Sequence, residues 1–502
     1  MRNLLKATQV TIAFSLTMTM LSSQADAQPY IHKKYSYAIG QCSHIVAGAA
    51  KNTDAVVAYY RSVAANSYLD LLRIDTMGTT VWARSFDLVN NEMVPVNMVA
   101  TADTGSLVFL ADTSQMKQIG LLKVSKTGIV QWMKTLNAEY YSAYPFPSIA
   151  LEDGTIFFSY PSNDTVFIQR MDAAGNIVSG NSYVKSSTSV ISPSSMVLSQ
   201  GAIYLGGYDN DSYSGFLLKT DTLGNILWQQ TGIAGGSISM NLQPITGGGV
   251  LLTTQSNNPF GGNLSATRMA SIRPDGTVNW AMKIPRFDNA KLIAVNSSTF
   301  AICSHKNAII SFALIDTAGL LLNTVSYTDS IATILFDATP VFNNSVWISS
   351  VGSNYIWLMR ASAAGSTSCF EKADTLSLQP FSFPSGSLNL QAHPFSATLS
   401  NSLLSSNTAS FTVSDLCFPT TINLLQLEDH IITPNPTSGI FSIGHKGDIV
   451  RFTIMAMSGK LHYEDVVPKN GLVDISNLTP GIYILRLYDR NGNVSVRKLV
   501  KQ

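Results

Sequence analysis

Few residues in this chain are spaced for chemistry. The seven histidines are His32, His44, His305, His393, His430, His445 and His462, and none has the spacing of a zinc-protease helix. Cys42-Ser43-His44 and Cys303-Ser304-His305 are two Cys-x-His pairs, together enough donors for a four-ligand zinc site. They fall at different depths of the repeat described below, Cys42 on a first strand and Cys303 on a second. Two buried thiols is therefore the reading adopted, with a zinc site or a Cys42–Cys303 disulfide as alternatives. Asp209-Asn210-Asp211 places acidic oxygens at alternate positions, as a calcium loop does, but lacks that loop's glycine and distal glutamate and reads as a polar hairpin tip. Gly247-Gly248-Gly249 and Gly261-Gly262 are turns, because no helix follows to receive a phosphate. No Gly-x-Ser-x-Gly elbow occurs. The expectation is no catalytic residue, no cofactor and no bound metal.

The elements that would have to position any site are repeats. Seven segments share one pattern, an apolar strand, a turn with glycine, and a second strand. The turn glycines are Gly78, Gly128, Gly175, Gly224, Gly276, Gly319 and Gly365, spaced about 48 residues apart. That period fits a four-stranded propeller blade and is too long for a leucine-rich or ankyrin unit. Asp75, Asp172, Asp221 and Asp316 sit three residues before their glycines, where a carboxylate can bond its own turn while glycine supplies a positive φ. Trp82, Trp132, Trp228 and Trp280 each follow a turn glycine by four, so four of the six tryptophans occupy one repeat slot. A large flat ring there can wedge between neighbouring blades. Ser179, Asn323 and Cys369 take the slot elsewhere, so those blades must seal differently. Upstream strands such as SLVFLADTS and TIFFSYPS are nearly continuous in apolar character, as strands covered on both faces are. The fold class is all-β: a seven-bladed β-propeller, six or eight being possible, over residues 28–375. The repeat resembles those of quinoprotein and other WD-like propellers and the Asp-box of sialidases, a resemblance of architecture that does not assign an activity.

Composition agrees with an extracellular β-protein. Charged residues are 13% of the chain, about half the usual share. Arg2 and Lys6 precede an uncharged, mostly apolar run from Ala7 to Leu21, and Ala25 and Ala27 are small residues suited to signal-peptidase cleavage, so residues 1–27 read as a signal peptide. The run is too short for a membrane span. The mature chain would carry equal numbers of acidic and basic residues, with no basic field for nucleic acid.

Residues 376–430 form a Ser/Thr-rich β tail and linker. Cys369 and Cys417 bracket its strands, and in an exported protein a disulfide between them is expected. Asp-Thr or Asp-Ser before an aliphatic residue, as at Asp75-Thr76-Met77 and Asp221-Thr222-Leu223, is similar to a Bacteroidetes O-glycosylation sequon.

Residues 431–502 begin ITPNPTSGIF, continue RFTIMAMSGKL and finish LTPGIYILRLYDRNGNVSVRKLVKQ. Alternating segments such as GIYILRLYD predict a small Ig-like sandwich. The block resembles the type A C-terminal sorting domain of the Bacteroidetes type IX secretion system, whose motifs map to Pro434, Asn435, Pro436, Gly439, Gly459, Gly481, Tyr483 and the terminal Lys498 and Lys501. The resemblance implies recognition by the outer-membrane translocon, then removal of the domain, with the protein secreted or held at the outer surface after passing through the periplasm. The functional expectation is a binding or adhesion propeller with an unknown extracellular ligand, glycan or protein. Tyr140, Tyr141, Tyr144 and Phe146 are aromatic candidates in one loop. The alternative is a propeller enzyme, such as a glycoside hydrolase, lyase or quinoprotein, acting on extracellular polymers.

Overall fold

A computed structural model describes residues 31–502 apart from 37–40, 50–53, 65, 89–91, 141–145, 163, 186–189, 211–213, 234–236, 257–265, 286, 288–289, 307–308, 329–334, 342–344, 352–354, 363–370, 374–375, 377, 381–385, 396, 402–405, 410–411, 416–431, 444–448, 457–460, 469–470 and 490–493. Two compact units divide at residues 417 and 418.

The first unit is a seven-bladed propeller. Blade 1 is Gln41–Ala49, Ala55–Val63, Asn66–Ile74 and Thr80–Asp87, each antiparallel to the one before. Blades 2 to 6 repeat this over 93–137, 148–185, 191–233, 237–285 and 291–328. Blade 7 is Leu335–Val341, Ser345–Val351 and Tyr355–Ala361, and its fourth strand is Ile31–Ser36 from the other end of the sequence. The first strands of successive blades touch, and that of blade 1 meets that of blade 7, closing the ring. Each of the seven seams between blades holds its own apolar cluster, so no central core exists. This explains the unbroken apolar runs. Ser106–Asp112 and Tyr355–Ala361 are buried at every position because both of their faces meet a blade.

The repeat turns have the expected chemistry. Asp75 Oδ1 accepts from the backbone N–H of Met77 and Thr79, and Asp221 and Asp316 do the same in their turns. The six described turn glycines have φ between 69° and 91°. The tryptophans seal the ring from blade to blade. Trp82 Nε1 donates to Lys126 O of the next blade's turn at 2.8 Å, Trp228 Nε1 to Pro274 O at 2.9 Å and Trp280 Nε1 to Thr317 O at 3.0 Å. Blade 3, with Ser179 in the slot, uses Asn181 and Tyr183 instead, whose Nδ2 and hydroxyl donate to Leu223 O and Gly224 O. Tyr35 does this work between blade 7 and blade 1, donating to Gly78 O at 2.6 Å.

Glycine is required at these turns for two reasons at once. A Cβ on Gly128 would lie 2.8 Å from Cδ2 of Trp82, and φ there is +79°. Gly128→Ala should therefore cost about 2–4 kcal/mol, combining left-handed strain with overpacking. Gly247 has φ +98° but nothing within 4 Å of its Cβ position, so Gly247→Ala isolates the conformational part. Urea unfolding of the two variants checks this, and equal losses would contradict the role given to Trp82.

The expected seventh repeat around Gly365 and Cys369 lies outside the described residues, and the outer strand of blade 7 is Ile31–Ser36. Glu371–Ala373 instead begins a belt. It pairs with the outer strand of blade 6, and then Gln379–Pro380, Gly386–Ser387, Leu390–Pro394, Leu399–Asn401, Ser406–Thr408 and Thr412–Asp415 pair with the outer strands of blades 5, 4, 3, 2, 1 and 7. The tail thus runs once round the ring, against the order of the blades, adding a fifth strand to each. Its side chains fill the seams: Leu376 and Leu378 pack between blades 5 and 6, Leu388 and Leu390 between 3 and 4, and Leu399 between 2 and 3. Gln229 grips its backbone, accepting from Leu390 N at 2.8 Å and donating to Leu390 O at 3.3 Å.

The second unit has a three-stranded sheet, with Ile432–Thr433, Ile440–Ile443 and Leu472–Asp474, and a four-stranded sheet of Leu461–Val466, Ile449–Ala456, Gly481–Asp489 and Val494–Lys501 in spatial order. Phe441, Val473, Phe452, Ile454, Leu485, Leu487 and Leu499 make its own core.

Candidate functional site

The first strands of the blades enclose a cavity of about 370 Å³. All seven blades line it, with His44, Asn97, Ser148, Ser194, Ser195, Asn241, Gln243, Lys291 and Asp337 as the polar members. Bulges insert an extra residue at His44, Val96 and Ser194 on three of these strands. Such bulges re-aim side chains, and His44 takes the left-handed φ of 49° to do so. Burial holds the His44 pKa below its ordinary value, so the ring is neutral at neutral pH.

Most of these groups are spent on closing the ring. Asn97 Nδ2 donates to Phe146 O and Ser148 Oγ of blade 3. Ser194 and Ser195 accept from Met240 N and Leu242 N of blade 5 at 2.9 Å. Asn241 and Gln243 donate to Ala290 O and Leu292 O at 3.0 Å, at the start of blade 6. Asp337 Oδ2 accepts from Ala47 N at 2.9 Å, while its Oδ1 lies 3.3 Å from Lys291 Nζ. The chemistry available is short-range hydrogen bonding from amides, hydroxyls and one ion pair. Sequence reading missed this girdle. Its signal is the recurring first-strand pattern Pro95-Val96-Asn97-Met98 and Pro193-Ser194-Ser195-Met196.

A second feature lies at one end of the ring. Among the described residues of the propeller unit, ten large apolar side chains are exposed. Eight of them cluster at the turns between third and fourth strands: Met77, Ile129, Leu223 and Leu320 on the turns themselves, and Val81, Val178, Leu227 and Leu322 each on the second residue of the fourth strand that follows. Leu223 is 74% exposed. Up-and-down strands put all these turns at the same end, so the blades present a crown of aliphatic tips around one rim.

The other sequence candidates fall elsewhere. Tyr140 and Phe146 are buried in the seam of blades 2 and 3, their rings 5.5 Å apart, and the Tyr140 hydroxyl donates to Asp112 O and Gln118 O. They are packing residues and not a binding surface. Tyr141 and Tyr144 lie outside the described residues. Cys303 is a buried free thiol whose pKa burial pushes up. No group of three or more metal-capable side chains occurs among the described residues. Asp209 is buried against Lys185 Nζ at 2.8 Å. Ala25, Ala27, Cys369, Cys417 and Gly459 lie outside the described residues.

In the second unit the motif residues form one clamp on the C-terminal strand. Asn435, between Pro434 and Pro436, donates to Lys498 O at 2.7 Å and accepts from Val500 N at 2.9 Å. Thr437 N donates to Val500 O, and Gln502 N donates to Thr437 O. Gly439 is needed because a Cβ there would lie 2.5 Å from Ser476 Oγ. Gly481 pairs with Lys501 in the sheet, and the Tyr483 hydroxyl donates to Thr479 O at 2.7 Å. The two basic residues separate: Lys498 is exposed, whereas Lys501 is buried with Nζ donating to Ser438 O and Gln502 O.

Residues 432–502 match the family described as the secretion system C-terminal sorting domain. This segment is a type IX sorting domain, and the chain is exported to the cell surface or secreted. No curated protein matches the chain. Among solved structures, a protein of unknown function from Bacteroides caccae is 14% identical, covering 50% of this chain and 94% of its own, with a TM-score of 0.32. One from Dyadobacter fermentans is 9% identical over 66% of this chain and 98% of its own, TM-score 0.35. A polysaccharide lyase described as a family PL25 ulvan lyase is 10% identical over 67% of this chain and 97% of its own, TM-score 0.46. Among the described residues no helix is long and apolar enough to cross a membrane.

Proposed function

For a chain delivered outside the cell by its sorting domain, we propose a non-catalytic binding or adhesion role in which the aliphatic rim is the docking face. The observation that carries this reading is the placement of eight of the ten exposed large apolar side chains of the described propeller on one ring of turns and the fourth-strand starts beside them. Water-exposed apolar groups gathered on one face mark interaction surfaces, whereas singly scattered ones are ordinary. Their aliphatic character fits a protein partner better than a glycan, whose sugar faces stack on aromatic rings. The channel supports the same reading, since its amides, hydroxyls and carboxylate hold neighbouring blades together. The fourfold variant Met77→Ser, Ile129→Ser, Leu223→Ser and Leu320→Ser should lower binding of the purified protein to cells of the producing bacterium by tenfold or more, measured by flow cytometry with labelled protein. Unchanged binding by a variant of unchanged melting temperature would refute the assignment.

The reading extends to the ends of the chain. Cleavage after Ala27 removes the signal peptide, and a Cys369–Cys417 disulfide closes the belt. The belt starts on blade 6 and finishes on blade 7, the next blade in the ring, which supports this pairing. Bridging them turns the belt into a covalent hoop. Peptide mapping without reductant should recover the linked pair, and Cys369→Ser with Cys417→Ser should cost up to roughly 4 kcal/mol on the loop-entropy account.

A further inference from the structure

The sorting domain has two outward sheet faces of different character. On the four-stranded sheet, Ile482 pairs with Val500 and Ile484 with Lys498 across the last two strands, with Arg486 next along the same face. These alternate with Tyr483, Leu485 and Leu487, which point into the core. The next strand adds Arg451, whose guanidinium lies 4.2 Å from the centre of the Tyr488 ring. Ile482, Arg486, Lys498 and Arg451 are exposed. The face carries three cations against one described carboxylate, Glu464, which bonds Arg451 at 2.8 Å. No ion pair involves Arg486 or Lys498 among the described residues. The three-stranded sheet presents Ile440 and Leu472 outward, opposite Asp474 and Ser442, with no cation.

We infer that the outer face of the four-stranded sheet, centred on Ile482, Ile484, Arg486 and Lys498, is the surface on which the secretion machinery docks, through a partner surface that sets carboxylates around an apolar patch. A sorting domain must be read by something. The clamp residues Thr437, Gly439 and Lys501 are committed to holding the last strand, so they are positioning residues that leave the neighbouring face to make contact. Charge supports the choice. Residues 432–502 contain nine basic and five acidic residues, in a mature chain whose total is balanced. The local excess of four cations, balanced by a net charge of −4 on residues 28–431, would steer this domain toward an acidic partner. Aliphatic side chains at the centre with cations at the rim is the arrangement in which apolar burial supplies affinity and charge supplies orientation.

The inference rests on the sorting assignment, and one set of strains separates the two. The full-length chain is expressed in the producing bacterium as wild type, as a deletion of residues 432–502, as Ile482→Glu with Lys498→Glu, and as Ile440→Glu with Leu472→Glu on the other sheet. The fraction reaching the surface or medium is compared with that retained in the periplasm, and protease resistance of the retained protein reports folding. The expected result is a tenfold or greater loss of export for the Ile482/Lys498 variant with the protein folded, and export within twofold of wild type for the Ile440/Leu472 variant. Normal export of the Ile482/Lys498 variant, or equal losses for both, overturns the inference while the sorting assignment stands. Export of the deletion strain overturns the assignment itself. Should Ile482→Glu unfold the domain, Lys498→Glu with Arg486→Glu, both exposed and outside the core, must still lower export at least threefold.

Discussion

A propeller ending at residue 373 should aggregate at concentrations where one ending at residue 417 stays dispersed, and its melting temperature should fall by 10 °C or more. Both effects follow from what the belt covers. Each blade without its fifth strand would present an outer strand with free N–H and C=O groups, and six such edges on one molecule, all but that of blade 6, form a template for intermolecular pairing. The belt replaces them with strands of two to five residues. Short edge strands are poor templates, so the molecule exchanges long edges for short ones.

The stability part comes from the seams. Leu388 and Leu390 are 4% and 3% exposed between blades 3 and 4. Each contributes about 1.5–3 kcal/mol by burial, and Leu390→Ala alone should cost about 2–5 kcal/mol with its cavity. Phe395 caps an aromatic stack, its ring 4.5 Å from Phe167, which lies 5.0 Å from Tyr160. Gly180 accommodates the belt, since a Cβ there would approach Phe395 O to 2.6 Å. Loss of the last belt strand has a separate consequence. Ile31–Ser36 lies between Tyr355–Ala361 and Thr412–Asp415, so the strand that closes the ring is held on both edges only while the belt is complete. Size-exclusion chromatography and calorimetry of the two lengths decide the matter. Equal melting temperatures would mean that the belt is decoration.

What could be read in the sequence, and what could not, divides by the range of the interactions. The turn glycines, their aspartates and the tryptophan slot were legible because each is a local device repeated blade after blade. Asp221 bonding Leu223 and Asn225 needs no knowledge of the fold. The belt was legible only as alternating strands, because its partners lie up to several hundred residues away, as when Lys33 pairs with Asp415. Nothing local distinguishes a two-residue strand such as Gly386–Ser387 from a linker. Tyr140 and Phe146 misled for the opposite reason: an aromatic cluster in a loop has the composition of a binding site, and only packing against Phe109 and Phe158 shows it to be the seam of two blades. The rim was invisible because its aliphatic residues sit at three different offsets from the glycine, and exposure is not a property of sequence.

Removing Lys501 and Gln502 should block export nearly as completely as removing all of residues 432–502. The motif at Pro434–Gly439 and the chain terminus are far apart in sequence yet form one unit, in which the terminus is the part that is held. Without the last two residues, Thr437 O loses the bond from Gln502 N, which is half of its bridge to Lys501, and Ser438 O loses the ammonium of Lys501. Two hydrogen bonds, one of them from a charged donor, amount to about 2–4 kcal/mol, a large part of the stability of a domain this small. Asn435 would still bond Lys498 and Val500, but on a strand whose end is free to fray. A variant with Lys501→Met keeps the apolar stem and the backbone pairing while losing the ammonium, and should retain intermediate export. The order wild type, Lys501→Met, two-residue truncation, full deletion is the expected ranking of surface delivery by immunoblot of cell fractions. A two-residue truncation exported at the wild-type level would show that the clamp is dispensable, and that the motif residues must then act by direct contact with the machinery.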